Sequence, residues 1–355
     1  MKVLVFLPID TIVKTWARRF EADGHEVVST FTFSVFLREV RRADWTLVNL
    51  TKHDHPRYLL KLWLGLLLAW LLRRRTALFI SIDPVDLCDR PVLRGILWAV
   101  NRLVFRCATV VFLLATREHV ARRYRFAERR VHRLFNCPDR TVFAPMQARQ
   151  VANLPHPLTF LYHGELLWWH GLERFVPIYE EVRKRRPARL VVAGNFYPST
   201  FRVFGLAASR REVARKRQLA ALLQRDDVEV RGRVSVEELR RLMAEAHFHV
   251  SLLNDEEVQA RTELRTCLLE AMAAGMACLH ARTPALSPAI FRDEENIVFV
   301  DPRDPPAAAE KILRLADSPG RLEAIRRNAV RTVAEHFDLD RQYAEAVAVL
   351  AAQGR

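Results

Sequence analysis

Short runs of apolar, often β-branched residues alternate with stretches whose apolar positions recur every three or four residues, almost from one end of the chain to the other. The first kind reads as buried strands and the second as amphipathic helices. In the first part of the chain, strands are predicted at Val3–Leu7, Glu26–Phe31, Trp45–Leu50, Ala77–Ile82 and Thr109–Leu114. Helices are predicted between them at Ile12–Asp23, Val35–Arg42, Arg57–Arg73 and Val92–Arg106. Gly24 follows the first helix as a C-cap, and Arg73, Arg74 and Arg75 stand where cations complement a helix C-terminus.

The pattern then restarts. Pro145 to Pro157 holds three prolines and little periodicity, which reads as a linker. Strands follow at Leu158–His163, Leu190–Ala193, Val228–Arg231, Phe248–Leu253 and Ala277–Ala281. The intervening helices are Leu172–Arg186, Arg210–Arg225, Val236–Ala246 and Cys267–Ala274, the last closed by Gly275. Ser235 with Glu238 three residues on is a capping box. Three helices end the chain: Pro306–Asp317, Arg321–His336 and Leu339–Ala352. Strand–helix alternation argues for parallel sheets covered on both faces. The expected fold class is therefore α/β, two consecutive Rossmann-like doubly wound domains facing a cleft. The expected boundaries are 1–150 and 151–336, with a last segment, 337–355, packing back on the first domain.

Composition sharpens this picture in one respect. With 355 residues, 50% hydrophobic and 27% charged, the chain suits two globular domains and excludes a disordered tail or a disulfide scaffold. Its net charge is +15, and that charge is lopsided. Residues 1–150 hold 26 Lys+Arg against 13 Asp+Glu, a balance of +13, whereas the remainder holds 30 against 28, a balance of +2. The two halves are expected to meet different partners. Five scattered cysteines without a Cys-x-x-Cys pair fit a reducing compartment and argue against zinc. The N-terminus reads as a first strand and not as a signal peptide. The uncharged run Leu62–Leu72 falls short of the roughly 20 residues that span a bilayer, so no transmembrane helix is expected.

Ligands of open parallel sheets bind beyond the carboxyl ends of the strands. Four segments stand there. Gly164 to Gly171 follows a strand, and its two glycines let backbone amides approach an anion. Gly194-Asn195 and Gly232 follow the next two strands. The fourth segment runs from Asn254 to Gly275, with Arg261 and Arg265 in its loop and Glu270 one turn inside its helix. Backbone amides with arginines suit a diphosphate, and a carboxylate suits a ribose diol.

Glu-Ala-Met-Ala-Ala-Gly (270–275) before a short strand resembles the signature of family 4 retaining glycosyltransferases of the GT-B fold, the glycosyltransferase group 1 type. Tyr-His-Gly-Glu-Leu with His-Gly-Leu-Glu (162–173), Arg-Leu-Val-Val-Ala-Gly-Asn (189–195), the strand–glycine–helix element 228–239 and Asn-Cys-Pro-Asp (136–139) resemble that family's other parts in the same order. The resemblance implies transfer of a sugar from a nucleotide-sugar donor held by the second domain to an acceptor on the first. It implies no metal and no cofactor, the departing diphosphate being met by positive groups and helix dipoles. Glu270 matches the glutamate on the ribose hydroxyls, and the backbone at Leu264–Thr266 matches the turn that receives phosphate and sugar oxygens.

Departures from the family pattern accompany the match. The position eight residues before Glu270, where a second carboxylate is usual, is Thr262, and the nearest glutamate is Glu263. Either the loop is one residue tighter or Thr262 takes the sugar-hydroxyl role. The usual Arg and Lys of the 164–171 loop are Glu165 and His170. His170 is a candidate donor to phosphate, and Arg265, with Arg261, is the candidate replacement cation. In the first domain, Asp83 stands where many relatives carry His and becomes the candidate for orienting an acceptor hydroxyl. The opening Leu7-Pro8-Ile9-Asp10 lacks a glycine-rich loop. These changes also fit a relative that binds nucleotide or glycan without turnover. His53-Asp54-His55 lacks a third ligand at suitable spacing for a metal, and Trp168 and Trp169 read as packing residues.

The expected acceptor is lipid-linked or a polysaccharide of the cell envelope. An apolar, Trp-bearing helix (Leu59–Leu72) and a run of seven arginines between Arg117 and Arg133 favour an anionic membrane surface as partner of the first domain. The expected location is cytoplasmic or peripheral on the inner face of the membrane. No helix-turn-helix, zinc-finger or RNP-type motif supports nucleic acid as a partner.

Overall fold

The computed structural model describes residues 1–7, 11–50, 56–81, 83–88, 91–114, 118–144, 157–167, 170–195, 210–253 and 264–353. Two compact units emerge, dividing between Phe135 and Asn136. Unit 1 is Met1–Phe135 together with Asp340–Arg355, and unit 2 takes Asn136–Thr200 and Ala208–Leu339. Most of the Pro145–Pro157 linker expected from the prolines lies outside the described residues.

Unit 1 is built in the order β1 (Lys2–Phe6), α1 (Thr11–Ala22), β2 (Glu26–Thr30), α2 (Phe33–Glu39), β3 (Trp45–Leu50), α3 (Pro56–Leu71), β4 (Arg75–Ile80), α4 (Pro84–Leu87), α5 (Pro91–Val104), β5 (Val110–Leu114), α6 (Glu118–Tyr124) and β6 (Val131–Leu134). All strand pairs are parallel, in the order β2-β1-β3-β4-β5-β6. The central strands β3 and β5 are buried at every position, as expected where helices cover both faces of a parallel sheet. One face packs Phe6, Phe36, Leu62, Leu66 and Phe105, and the other packs Trp16, Phe20, Trp45, Phe79 and Phe112.

The second unit contains β7 (Leu158–His163), α7 (Val176–Arg183), β8 (Ala188–Ala193), α8 (Arg210–Leu222), β9 (Val228–Val230), α9 (Val236–Glu245), β10 (Phe248–Ser251), α10 (Thr266–Ala273), β11 (Ala277–His280), β12 (Val298–Phe299), α11 (Pro305–Ala316) and α12 (Pro319–His336). Its sheet is again parallel, ordered β12-β11-β10-β7-β8-β9. Counted from β7, that is the Rossmann order 3-2-1-4-5-6, and the order reverses between β7 and β10. The last helix, α13 (Leu339–Ala352), lays Tyr343, Ala346 and Leu350 on the Trp16–Phe20 face of unit 1. The Tyr343 hydroxyl donates to Asp23 at 2.7 Å. Gln342 clamps the Phe135 backbone from both sides, accepting from its amide at 2.6 Å and donating to its carbonyl at 2.9 Å.

Four short elements, α4, α6, β6 and β12, are missing from the periodicity, and one strand end differs. Strand β6 and helix α6 were hidden because both are short and interrupted by arginines, of which Arg122 and Arg133 are exposed. Strand β12 is only two residues long, too short for an alternation to register. Leu7, expected inside the first strand, instead has a positive φ of 61° and ends it. The Rossmann-like α/β fold expected from the alternation is the one observed.

Candidate functional site

The strand order of unit 2 reverses between β7 and β10, the place where doubly wound sheets bind nucleotides. Gly164 leaves β7 with φ +113°, a conformation L side chains rarely adopt. Its amide donates to the Ala193 carbonyl at 3.0 Å, and the Leu166 amide donates to the Asn195 carbonyl at 3.0 Å. The turn after β7 is thereby fastened to the turn after β8. A Cβ on Gly194 would lie 1.9 Å from the Gly164 carbonyl oxygen, so this position is glycine because two backbones touch there. Gly171, at φ +66°, opens the 3₁₀ turn Leu172–Phe175 that leads into α7. Gly232, at φ +63°, follows the edge strand β9 with nothing within 4 Å of a Cβ built on it; there the backbone turn alone requires glycine.

Tyr162 organises the same loop. Its hydroxyl donates to the Glu165 carbonyl at 2.6 Å and receives the Arg265 guanidinium at 3.0 Å, while that guanidinium lies 5.1 Å from the Tyr162 ring centroid. Arg265 is the N-cap residue of α10, buried, and its Nη2 comes within 3.2 Å of a Cβ built on Gly164. The structure thus brings Arg265 to the very loop that lacks the family's usual Arg and Lys. His170 is buried beside it, its Nδ1 donating to the Glu165 carbonyl at 2.8 Å. The Glu165 side chain is exposed.

Helix α10 begins at Thr266, so its first amides and the positive end of its dipole face the loop before it. The Leu264 carbonyl there accepts from Asn136 Nδ2 at 2.7 Å, which ties the Asn-Cys-Pro-Asp segment to this turn. Glu270, one turn into the helix, faces His163 at the end of β7, with Nε2 and Oε2 3.1 Å apart. Thr262 and Glu263, the two candidates for the second carboxylate position, and Arg261 lie outside the described residues, as do Trp168, Trp169 and His53-Asp54-His55.

Two histidines beneath the site are held neutral. Burial, then His163, Arg265 and His280, keeps His249 well below the ordinary imidazole range. Burial also lowers His280 to about 4, against the raising effect of its hydrogen bond to the Ala281 carbonyl. Among the described residues, His163, His249 and Cys267 bring ligand-type atoms within 4.8 Å of one another. The Arg265 guanidinium already raises the positive potential there, which opposes a second cation.

Asp83 is a different case. It sits in unit 1 with a fully buried carboxylate. It caps α4 by accepting from the Val85 amide at 3.0 Å, pairs with Arg123 at 2.6 Å and receives the Tyr124 hydroxyl at 2.8 Å. Burial and the neighbouring Asp86 raise its pKa. Burial acts in the same upward sense on Asp86, but His119 and Arg123 outweigh it and lower its pKa. Asp83, the candidate for orienting an acceptor hydroxyl, is here the cap of α4 and a buried partner of Arg123.

The sequence alone does not single out His163, Tyr162 and Asn136 as site residues, although all three lie in the segments that resemble the family. The usable signal was strand alternation: adjacent residues at the end of β7 must point to opposite faces, so one of Tyr162 and His163 flanks each side of the turn.

A family model described as Glycosyl transferases group 1 matches residues 157–318. No curated relative is matched by sequence. Among solved structures, sucrose-phosphate synthase from Thermosynechococcus elongatus superposes with a TM-score of 0.71 at 16% identity, covering 99% of this chain and 98% of that one. HepE of Anabaena in complex with UDP-glucose gives 0.69 at 14% identity, covering 99% and 100%. An α-glucosyltransferase in complex with UDP-glucose and DNA containing an abasic site gives 0.66 at 12% identity, covering 99% of each chain. These likenesses share one architecture, the GT-B arrangement of two Rossmann-like units.

Proposed function

Since a family model described as Glycosyl transferases group 1 matches residues 157–318 in a chain of GT-B fold, we propose that this enzyme moves a sugar from a nucleotide-sugar donor to a lipid-linked or polysaccharide acceptor, with retention at the anomeric carbon and without a metal. The observation that carries the reading is the convergence at the switch point of unit 2. The Gly164 turn, the α10 N-terminus, Arg265 and Glu270 meet there, in a segment the family model covers.

Each group has a task in this reading. Glu270, whose side chain is 22% exposed, accepts hydrogen bonds from the ribose hydroxyls, and His163 holds it in place. The amides at Leu264–Thr266 and the α10 dipole receive the diphosphate. Arg265 stabilises the charge that develops on that diphosphate as the glycosidic bond breaks. Tyr162 orients the guanidinium from below, and His170 stiffens the Glu165 turn. Gly194 and Asn195 keep the second turn close enough to shape the pocket wall.

The acceptor belongs to unit 1 in this reading. Its excess of cations suits an anionic lipid-diphosphate carrier of envelope polysaccharide synthesis at the inner membrane face. Two of the structures named above hold UDP-glucose, which makes it the first donor to try. Thermal-shift measurements with UDP-, GDP- and ADP-sugars test the donor site. A ligand at 100 times its Kd adds about 2.7 kcal/mol, a rise of several degrees. No shift with any nucleotide-sugar overturns the reading.

A second reading is favoured by one observation. Glu165 presents an exposed carboxylate on the donor loop, where it repels a diphosphate. On that reading the protein binds nucleotide without turnover, and stabilisation by a nucleotide-sugar that is never hydrolysed or transferred identifies it.

A further inference from the structure

Helices α3 and α5 lie side by side in unit 1, joined by a hydrogen bond from Trp63 Nε1 to Asn101 Oδ1 of 2.8 Å. Their inner faces are ordinary core: Leu59, Leu62, Leu66 and Ala69 on one, Leu97 and Val104 on the other. Their outer faces break the usual pattern. On α3, Leu60, Leu64, Leu67 and Leu71 recur at i, i+4, i+7 and i+11, and all are exposed, with Trp70 54% exposed beside them. On α5, Val92, Ile96 and Leu103 form a matching stripe, 79%, 54% and 69% exposed, and Trp98 is 36% exposed. These two helices hold nine of the fifteen large apolar side chains exposed among the described residues. A solvated helix places polar residues on such a face, and apolar exposure on this scale marks a surface that is covered in use.

Charge says what covers it. Residues 55–82 and 90–117 contain no Asp or Glu. The apolar face is flanked by Arg57 at the start of α3, Arg73 and Arg74 just beyond its end, and Arg106 beyond α5, all exposed. Arg102 lies 5.1 Å over the Trp98 ring. Apolar side chains and tryptophans rimmed by arginines complement a bilayer interface with anionic headgroups. Helix α3 has only 16 residues, and no described helix is long and apolar enough to cross a membrane. We propose that the paired outer faces of α3 and α5 dock unit 1 on an anionic bilayer, lying in the interface plane with Leu64, Trp70, Ile96 and Leu103 among the acyl chains and the arginines at the headgroups. The donor motifs lie in unit 2, so this proposal stands or falls independently of the transferase reading. If both hold, a lipid-linked acceptor is met at the surface where it resides.

The test is flotation of the protein with phosphatidylcholine vesicles, with and without added anionic phosphatidylglycerol. The protein is expected to float with anionic vesicles and to do so far less with neutral ones, and the anionic fraction is expected to fall as salt is raised. Leu64→Ser/Trp70→Ser/Ile96→Ser is expected to cut the floated fraction about 10-fold or more, since each anchor lost removes apolar burial. Its thermal midpoint and its shift with nucleotide-sugar are expected to stay those of the parent. Arg73→Gln/Arg74→Gln is expected to weaken anionic binding alone. Quenching of tryptophan fluorescence by brominated lipid, reduced in Trp70→Phe/Trp98→Phe, reads insertion directly in a folded protein. Failure of the parent to float on anionic vesicles overturns the proposal and assigns the face to a protein partner. Equal flotation of the parent and the triple variant, or quenching unchanged by the tryptophan substitutions, overturns it as well.

Discussion

The carbonyl oxygen of Gly164 lies 1.9 Å from the point a Cβ on Gly194 would occupy. Two turns of backbone, thirty residues apart in the chain, therefore meet at the end of the second sheet with no side chain between them. The contact is fastened on both flanks by the Gly164–Ala193 and Leu166–Asn195 hydrogen bonds. It holds the loop after β7 against the turn after β8, and the Arg265 Nη2 reaches that same loop, 3.2 Å from a Cβ built on Gly164.

Gly194→Ala is expected to force these turns apart, at a cost of about 3 kcal/mol, because a backbone atom cannot swing aside as a side-chain tip does. Stabilisation by nucleotide-sugar should weaken in the same variant. Gly232→Ala is the control. Nothing surrounds its Cβ, so only the left-handed backbone is strained, costing about 1–2 kcal/mol. Chemical denaturation of the two variants, with and without donor, separates these effects; equal losses would refute the close-approach account of Gly194.

Arg265→Ala should lower kcat for donor hydrolysis or transfer about 100-fold, the size of effect seen when one charge-stabilising group is removed. Arg265→Lys should recover little, because an ammonium lacks the fork of donors that reaches the Tyr162 hydroxyl while facing the diphosphate. Melting temperatures measured on the same preparations distinguish loss of catalysis from loss of fold. A variant with normal kcat would remove Arg265 from the mechanism.

Asp83 gives a prediction about stability and not about chemistry. Arg123→Ala leaves the buried Asp83 and Asp86 without their shared cation and should cost about 3 kcal/mol. Asp83→Asn keeps the α4 cap acceptor while removing one charge, and is expected to leave turnover intact once the protein is folded. A selective fall in kcat at unchanged stability would restore the acceptor-orienting role that the sequence suggested.

Acidification should destabilise the second unit over a defined range. His280 titrates at about 4 in the fold and near the ordinary imidazole value when unfolded, and His249 is displaced in the same direction. Between those values the unfolded chain binds protons that the native state refuses, so stability is present at neutral pH and is lost as pH falls from about 6.5 toward 4. The His280 contribution to that loss is about 3 kcal/mol. Urea midpoints at pH 7, 5.5 and 4.5 measure it, and His280→Asn should flatten the dependence. A variant as pH-sensitive as its parent would contradict this assignment.

Much of the architecture is legible in the sequence. Alternation of strand and helix periods placed ten of the strands, and the capping box Ser235–Glu238 marked α9, whose Ser235 hydroxyl accepts from the Glu238 amide at 3.2 Å. These signals are local: a side chain's period and a cap depend on neighbours within one or two turns. The glycines at 164, 171 and 194, Arg265 and Glu270 were legible for the same reason, as residues at strand ends and helix starts. Elements too short to show a period, β6 and β12, were not.

What no window of sequence contained was the order of strands. Placing β10 beside β7 brings His249 against His163, and it sets Cys267 and Arg265 of the following helix over both. Burial followed from that order as well. Asp83, read as open to an acceptor, closes on Arg123, which comes from a helix forty residues away. The outer stripes of α3 and α5, read as one apolar run and one amphipathic helix, become a single surface only when the two helices lie together. The sequence determined each element and its punctuation, because propensity and periodicity act over a few residues. Tertiary structure decided which polar groups lose water and which apolar ones keep it, because that depends on distant segments sharing one sheet.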